Sequence, residues 1–416
     1  MKKILAIALA AIMLFAFAAC GDKTETDAVA GDLTATALAA PETLEELDVD
    51  CSGIKMGLIC LHDENSTYDK NFIDAAKAAS AELGFELVIK TNIDENDACT
   101  TAAEELVDDG CDIIFANSFG HETFMMGVAA ENPDVEFCHA TGTNAHTAGI
   151  ANFHNAFASI YEGRYLAGIA AGMKLNEMIE AGKITADQAK IGYVGAYPYA
   201  EVKSGYTSFY LGAKSVCPTA TMTVKYTNSW FDIALEKEAA LALINEGCVL
   251  VSQHADSEGA PKACEEKGVP NVAYNVDTTN LGPTTALISS KINWTPYFKF
   301  IVKSVASDKA IPADWCGTIA TGSVELTALN TAVAAEGTQE AIDAAIQQFK
   351  DGTLKVYSTD NFTVGGNKLT TYTADVISDA AFAADTEVVI EGVFAESYFR
   401  SAPYFDIIID GITAPQ

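Results

Sequence analysis

Basic residues are scarce in this 416-residue chain: 25 lysines and arginines stand against 57 aspartates and glutamates, a formal net charge of −32. Nucleic acid and anionic membrane surfaces need a basic face, so neither is expected as a partner surface. Catalytic signatures are missing too. There is no Gly-x-x-x-x-Gly-Lys phosphate loop, no His-Glu-x-x-His pair and no Gly-x-Ser-x-Gly elbow. Asp256 near His254, and Ser118 near His121, are fragments of a triad without its setting. No Cys-x-x-Cys occurs, which removes the usual zinc and redox motifs. The six histidines (His62, His121, His139, His146, His154 and His254) are dispersed, so no metal site is expected. The chain reads as a binder with no cofactor and no chemical step.

A long apolar run stands at the very start. Met1-Lys2-Lys3 is a basic region, Ile4 to Phe17 is apolar, and Ala18-Ala19-Cys20 follows. The run is too short for a membrane span and fits a secretory leader. The small residues before Cys20 resemble a bacterial lipobox, with Phe17 where leucine is usual. Residues 1–20 are thus expected to be a lipoprotein signal peptide that leaves a lipidated Cys20; a plain cleaved leader is the alternative. Residues 21–53 are small, polar and acidic, a composition that suits a flexible tether. Apart from Cys20, most of the ten cysteines sit in apolar, strand-like contexts such as Cys60, Cys111 and Cys248. They read as small buried hydrophobes. Free thiols in an exported chain point to an anaerobic setting.

From Ile54 the pattern alternates. Strands are expected at Lys55 to Leu61, Phe85 to Lys90, Cys111 to Ala116 and Val135 to His139, with helices at Asp69 to Leu83, Asp97 to Asp108 and His121 to Ala130. A second set begins after Asn152. Helices Ile160 to Ile179, Val202 to Val216 and Ile233 to Asn245 interleave with strands at Lys190 to Val194, Thr221 to Lys225, Cys248 to Val251 and Asn271 to Asn275. Alternation at this spacing implies parallel sheets covered by helices, in two lobes. Thr338 to Lys350 reads as a helix, and Val356 to Ile412 as short strand-like runs that complete the second lobe.

Ligands of open α/β sheets bind outside the carboxyl ends of the strands. Several strand ends here are crowded with polar and aromatic side chains. After Val251 come Gln253, His254, Asp256 and Ser257, which suit either a ligand or the cap of the helix that follows. Asp69, Asn71 and Phe72 open a helix, where Asp69 also suits an N-cap and Phe72 the core. Asn117, Ser118 and Phe119 end the third strand, Trp230 and Asp232 precede the Ile233 helix, and Asp277 follows Asn275. Aromatic faces with amides and carboxylates suit a flat, hydrogen-bonding ring such as a nucleobase.

Together, Asp69-Lys70-Asn71-Phe72, Ala116-Asn117-Ser118-Phe119-Gly120, Tyr161-Glu162-Gly163-Arg164-Tyr165-Leu166-Ala167-Gly168, Ser229-Trp230-Phe231-Asp232 and Gln253-His254-Ala255-Asp256-Ser257 resemble the basic membrane protein family of substrate-binding lipoproteins of ABC transporters. The resemblance implies a type I periplasmic-binding-protein fold: α/β, two Rossmann-like lobes with parallel sheets and a hinge of several crossovers. It implies an N-terminal lobe of residues 54–153 and 278–323 and a C-terminal lobe of 154–277 and 324–416. It further implies a purine ligand, with Phe72 and Phe209 stacking on the ring from opposite lobes. Asp69, Asn71 and Ser118 would line the first lobe and Trp230, His254 and Asp256 the second, with Asp277 at a hinge.

One departure concerns the ribose. Nucleoside binders of the family place a lysine after a Leu-x-Ser run, where this chain has Ile292; Lys291 is one position off, which in a strand reverses the face. The Ser-x-x-x-Asn-Trp pattern resembles a branch taking free purine bases, with Trp294 either at the ligand or in the core. The expected function is extracytoplasmic, lipid-anchored capture of a purine base or nucleoside for an ABC permease. A sugar or signal molecule bound by a surface sensor is the nearest alternative, and an enzyme acting on purines the remotest.

Overall fold

The computed structural model describes residues 35–377 and 383–415. Cys20 and the leader lie outside the described residues. The first lobe begins as β1 (Lys55–Ile59), α1 (Thr67–Leu83), β2 (Glu86–Lys90), α2 (Asp97–Asp108), β3 (Ile113–Ala116), α3 (Glu122–Glu131), β4 (Glu136–Ala140), the short α4 (Ala145–Ala148) and β5 (Phe153–Ala158). The chain then crosses over. The second lobe holds α5 (Ile160–Glu180), β6 (Lys190–Gly195), α6 (Ala200–Val216), β7 (Thr221–Tyr226), α7 (Ile233–Asn245), β8 (Leu250–His254), α8 (Gly259–Lys267), β9 (Asn271–Tyr274) and β10 (Ala286–Ile292). It returns for α9 (Thr295–Ala306) and β11 (Asp314–Gly317), then leaves again for β12 (Val324–Leu326) and α10 (Thr338–Lys350). A tail adds two small ladders, β13 (Thr373–Ala374) with β14 (Thr386–Glu387) and β15 (Val389–Ile390) with β16 (Val393–Phe394), and ends in β17 (Ile412–Thr413).

Two sheets result, ordered β11-β5-β4-β3-β1-β2 and β12-β10-β9-β8-β6-β7-β17. All their pairings are parallel except β10 with β12. The local chemistry explains the boundaries. Ser66, and not Asp69, caps α1: its Oγ accepts from the Asp69 amide at 3.3 Å. Gly84 ends that helix at φ 80°, a conformation that costs glycine nothing. Asp232 caps α7 by accepting from the Ala234 and Leu235 amides, both at 2.9 Å.

Among the described residues, three crossovers join the lobes, at residues 159, 293–294 and 318–323. The expected boundary between 153 and 154 would split β5, which pairs with β4 in the first sheet. The expected first-lobe segment 278–323 contains β10, which pairs with β9 in the second. Both differences arise because the chain exchanges sheets after a strand, while the sequence pattern marks only where a helix begins. The acidic tether also differs, because part of it is docked. The Glu42 carbonyl accepts from Trp315 Nε1 at 2.9 Å, the Leu44 carbonyl from Lys303 Nζ at 3.0 Å, and Glu45 pairs with Lys299 at 3.0 Å. Two lysines of α9 and a tryptophan of β11 thus hold this arm to the first lobe.

The block from Tyr161 to Gly168 packs the second lobe. A Cβ on Gly168 would lie 2.1 Å from the Phe209 carbonyl oxygen, and one on Gly212 2.0 Å from that of Tyr165. Helices α5 and α6 therefore meet backbone to backbone. Glu162, in the same block, accepts from the Ile319 amide at 2.7 Å and so staples the last crossover to α5. Asn293 ties two crossovers together, donating from Nδ2 to the Gly322 carbonyl at 3.1 Å.

Candidate functional site

The carboxyl ends of both sheets face one cleft. Leu61, His62, Tyr68, Asp69, Ser118, Phe119 and Thr141 line it from the first lobe, and Glu201, Trp230, His254, Asp256 and Tyr274 from the second. The space between atoms, open mouth included, is about 420 Å³, most of it taken up by the lining side chains' own clearance, so the cleft is nearly shut. The lobes touch across it. The Thr67 amide and hydroxyl both donate to the Asp256 carbonyl, at 2.9 and 3.0 Å.

Asp69 organises the first wall. It sits within the first turn of α1, where its Oδ1 accepts from the His62 amide at 3.1 Å and from Asn117 Nδ2 at 2.8 Å, with His62 Nδ1 3.3 Å from Oδ2. Burial pushes its carboxyl up, but the hydrogen bonds from His62, Asn117 and Ser66 together outweigh burial and hold it below the usual range. Asp256 has the opposite environment. Burial, with Glu236, Asp69 and Glu201 nearby, raises it well above the ordinary value, although Asn275 Nδ2 donates to its Oδ1 at 3.2 Å. The cleft thus holds one carboxylate kept ionised and one carboxyl driven toward its neutral form.

Beneath the second wall lies Arg164, one of only two arginines in the chain. Its guanidinium carbon stands 3.5 Å from the centroid of the Tyr274 ring, and Nη1 donates to the Gln253 carbonyl at 2.8 Å. Burial first, then this guanidinium, push His254 down to about 4. Its Nε2, 3.2 Å from Glu201, therefore donates to that carboxylate as a neutral imidazole at physiological pH. Gly205 leaves room for the ring, since a Cβ there would lie 2.6 Å from His254 Nδ1.

Of the residues expected at the ligand, Asp69, Ser118, Phe119, Trp230, His254 and Asp256 line the cleft. The others lie elsewhere. Phe72 is fully buried and stacks on Trp294, ring centroids 4.4 Å apart, so both belong to the first-lobe core. Phe209 is fully buried in the second-lobe core against Tyr193. Asn71 donates to the Ile292 carbonyl, tying α1 to β10. Asn117 stands behind the wall as the support of Asp69. Asp277 is exposed in a turn, accepting from the Thr279 amide. Gln253 and His254 complete β8 instead of beginning the loop. The two readings of that loop divide between neighbours: Asp256 faces the cleft, while Ser257 Oγ accepts from the Gly259 amide at 3.1 Å. Tyr68, Thr141, Glu201 and Tyr274 were not anticipated. Tyr274 ends β9 and Thr141 directly follows β4, so the strand-end rule applied to every strand finds both.

Past Phe119, Trp230 and Glu201 the cleft opens into an outer groove walled partly by the tail, with Lys203, Arg400 and Tyr404. The aromatics form a partition there: Tyr197 stacks on Tyr199 at 5.0 Å, and Tyr199 reaches Phe119 of the other lobe at 6.0 Å.

Buried carboxyls outside the ligand wall give a pH dependence. Burial raises Glu162, Glu236, Glu396 and Asp314 each to about 7. A carboxyl raised on folding contributes stability at low pH that is lost as pH rises through its folded value. Buried His121, His139 and His254 are lowered, so they oppose this only below the ordinary histidine range. Stability is therefore expected to fall by about 2 kcal/mol between pH 6.5 and 8. Urea midpoints at the two pH values check this.

Two parallel-stranded lobes with three crossovers around a polar, aromatic cleft define a type I periplasmic-binding-protein fold. The chain belongs to the Bmp family, described as ABC transporter substrate-binding protein PnrA-like, whose model matches residues 59–359. A purine-binding protein of Brucella abortus is 34% identical over 220 residues, 53% of this chain and 59% of that protein. A Haloferax volcanii protein named for glucose binding in an ABC transporter is 37% identical over 195 residues, 47% of this chain and 46% of that protein. The matched region spans about half the length of these curated relatives. Among solved structures, an ABC transporter solute-binding protein of Aeropyrum pernix superposes with a TM-score of 0.61 at 15% identity, covering 72% of this chain and 92% of that one. One from Conexibacter woesei gives 0.59 at 19%, covering 72% and 97%. These likenesses bear on the fold alone. Among the described residues, no helix is long and apolar enough to cross a membrane.

Proposed function

We propose that the protein is an extracytoplasmic solute-binding lipoprotein, anchored through Cys20, that captures a purine base or nucleoside between its lobes and presents it to an ABC permease. The observation behind this reading is the convergence of Asp69, Glu201 and Asp256 with Tyr68, Phe119, Trp230 and Tyr274 on one cleft. Carboxyl oxygens accept from ring N–H groups, and the aromatic faces stack on the ring. The purine-binding relative from Brucella supports the same ligand class. Capture by closure needs no chemical step. The ligand favours the closed arrangement by touching both lobes, and that arrangement is what a permease would read. Trp230 and Phe119 take the stacking role in place of the buried Phe72 and Phe209.

A sugar is the second reading, favoured by the Haloferax relative named for glucose. Carboxylates and aromatic faces serve hydroxyl groups as well as they serve ring N–H groups. Thermal-shift screening of the protein lacking residues 1–20 against purine bases, nucleosides, sugars and amino acids separates the two, because a ligand of the folded state raises the midpoint by mass action. A purine is expected to give the largest rise. A response to glucose with none to any purine transfers the assignment to the second reading.

A further inference from the structure

The family match ends at residue 359, and the chain continues for a further stretch in which the tail packs back on both lobes. Its two attachments differ in kind. On the second lobe it is apolar: Phe394, Tyr404, Phe405, Ile409 and Ile412 are part of that lobe's core, and β17 extends its sheet beside β7. On the first lobe it is polar. The Ser401 amide donates to Asp314 Oδ2 at 2.9 Å, in the edge strand β11. Arg400, 7% exposed, donates within the tail to the Val376 and Ala402 carbonyls at 3.0 and 3.1 Å, and its charged neighbours are Asp375 of the tail first, then Asp314 and Glu122 of the first lobe. Glu122 is itself held in place, accepting from the Thr143 and Asn144 amides at 2.9 and 2.8 Å. The Tyr398 carbonyl accepts from Leu38, in the arm docked on the first lobe, at 2.8 Å.

We propose that residues 396–406 form a clasp between the lobes, with Asp314 as its receptor, that prolongs the life of the closed, ligand-holding state. The asymmetry gives the direction of release. Separating the apolar attachment would expose core side chains, whereas Asp314, Arg400 and the Ser401 amide can all take water as partner. The tail therefore travels with the second lobe, and opening breaks the polar side. Asp314 and Arg400 are positioning residues: neither is required to touch the ligand. The effect on ligand release rests on the purine reading above, whereas the effect on closure does not.

Asp314→Ala removes the acceptor of the Ser401 amide and leaves Glu122 and Leu38 in place, and Asp314→Asn keeps an acceptor for Ser401 while removing the ionisable carboxyl. Two readouts apply. The first is deuterium uptake at the peptide holding Thr67, whose amide bonds across the cleft to Asp256, measured without ligand. The second is the dissociation rate of the purine giving the largest thermal shift. Asp314→Ala is expected to speed uptake at Thr67 and to raise dissociation about tenfold, the scale of one hydrogen bond to a charged group. Association should stay within about twofold, and Asp314→Asn should fall between Asp314→Ala and the parent. Unchanged uptake at Thr67 in both variants overturns the clasp, as does faster uptake spread over the whole chain, which is loss of stability instead of opening. If no purine binds the parent protein, the ligand reading fails while uptake at Thr67 still decides the clasp.

Discussion

Asp256→Ala is expected to weaken binding of the captured purine by at least about 100-fold, the scale on which loss of a buried hydrogen-bonding group in a binding site is felt. Its carboxyl lies in the cleft wall and is what the substitution removes; the carbonyl that receives Thr67 from the first lobe is backbone and stays. The two cleft aspartates should differ toward asparagine. Burial among other carboxyls raises Asp256, so a neutral amide resembles the form the site favours, and Asp256→Asn is expected to keep affinity within about tenfold. Asp69 is held ionised by three donating neighbours, His62, Asn117 and Ser66. An amide there turns N–H groups toward donors, so Asp69→Asn should bind as poorly as Asp69→Ala. Titration calorimetry on the four variants decides; equal tolerance of asparagine at both positions would remove the assigned difference in protonation.

Gly168→Val is expected to cost about 3 kcal/mol or more, and to leave little folded protein if the parent is only ordinarily stable. At 2.1 Å from a carbonyl oxygen the new carbon meets backbone, which has no rotamer to yield. The only relief is to part α5 from α6, and both helices are buried along most of their length. Gly127→Ala is the contrast. That glycine sits inside α3 with nothing within 4 Å of the place a Cβ would take, so alanine should add about 0.5–1 kcal/mol through helix propensity and a less flexible unfolded chain. Urea midpoints of the two variants moving in opposite directions would confirm that the helix contact, and not helical glycine as such, sets the penalty.

The alternation of strands and helices was legible because each βα unit writes its own period; α2, α7 and α10 begin and end where the pattern places them. The strands β5, β11 and β12 were not: β11 and β12 are edge strands, and β5 runs directly into a crossover with no helix of its own lobe after it. In the cleft, Asp69, Trp230 and Asp256 could be read from strand-end chemistry. Phe72 could not be placed that way: the residue three positions after Asp69 points down the same helix toward β3, and its ring meets Phe115 and Trp294 instead of a ligand. Trp294, far from Phe72 along the chain, fills the space that makes this so. Glu201 opens a helix whose own sequence says nothing of the histidine, 53 residues on, that it faces.

All nine described cysteines are buried and unpaired. Burial pushes Cys99 up to about 12 and Cys111 and Cys248 up to about 11, so the reactive thiolate is suppressed as well as hidden. Free thiols in such a chain do not require surroundings without oxygen, because the fold supplies its own protection. To maleimides and peroxides the described surface is blank. On the protein lacking residues 1–20, a single cysteine placed on it becomes a unique address, and a dye or spin label attached there reports from one chosen point with the nine described thiols left in place.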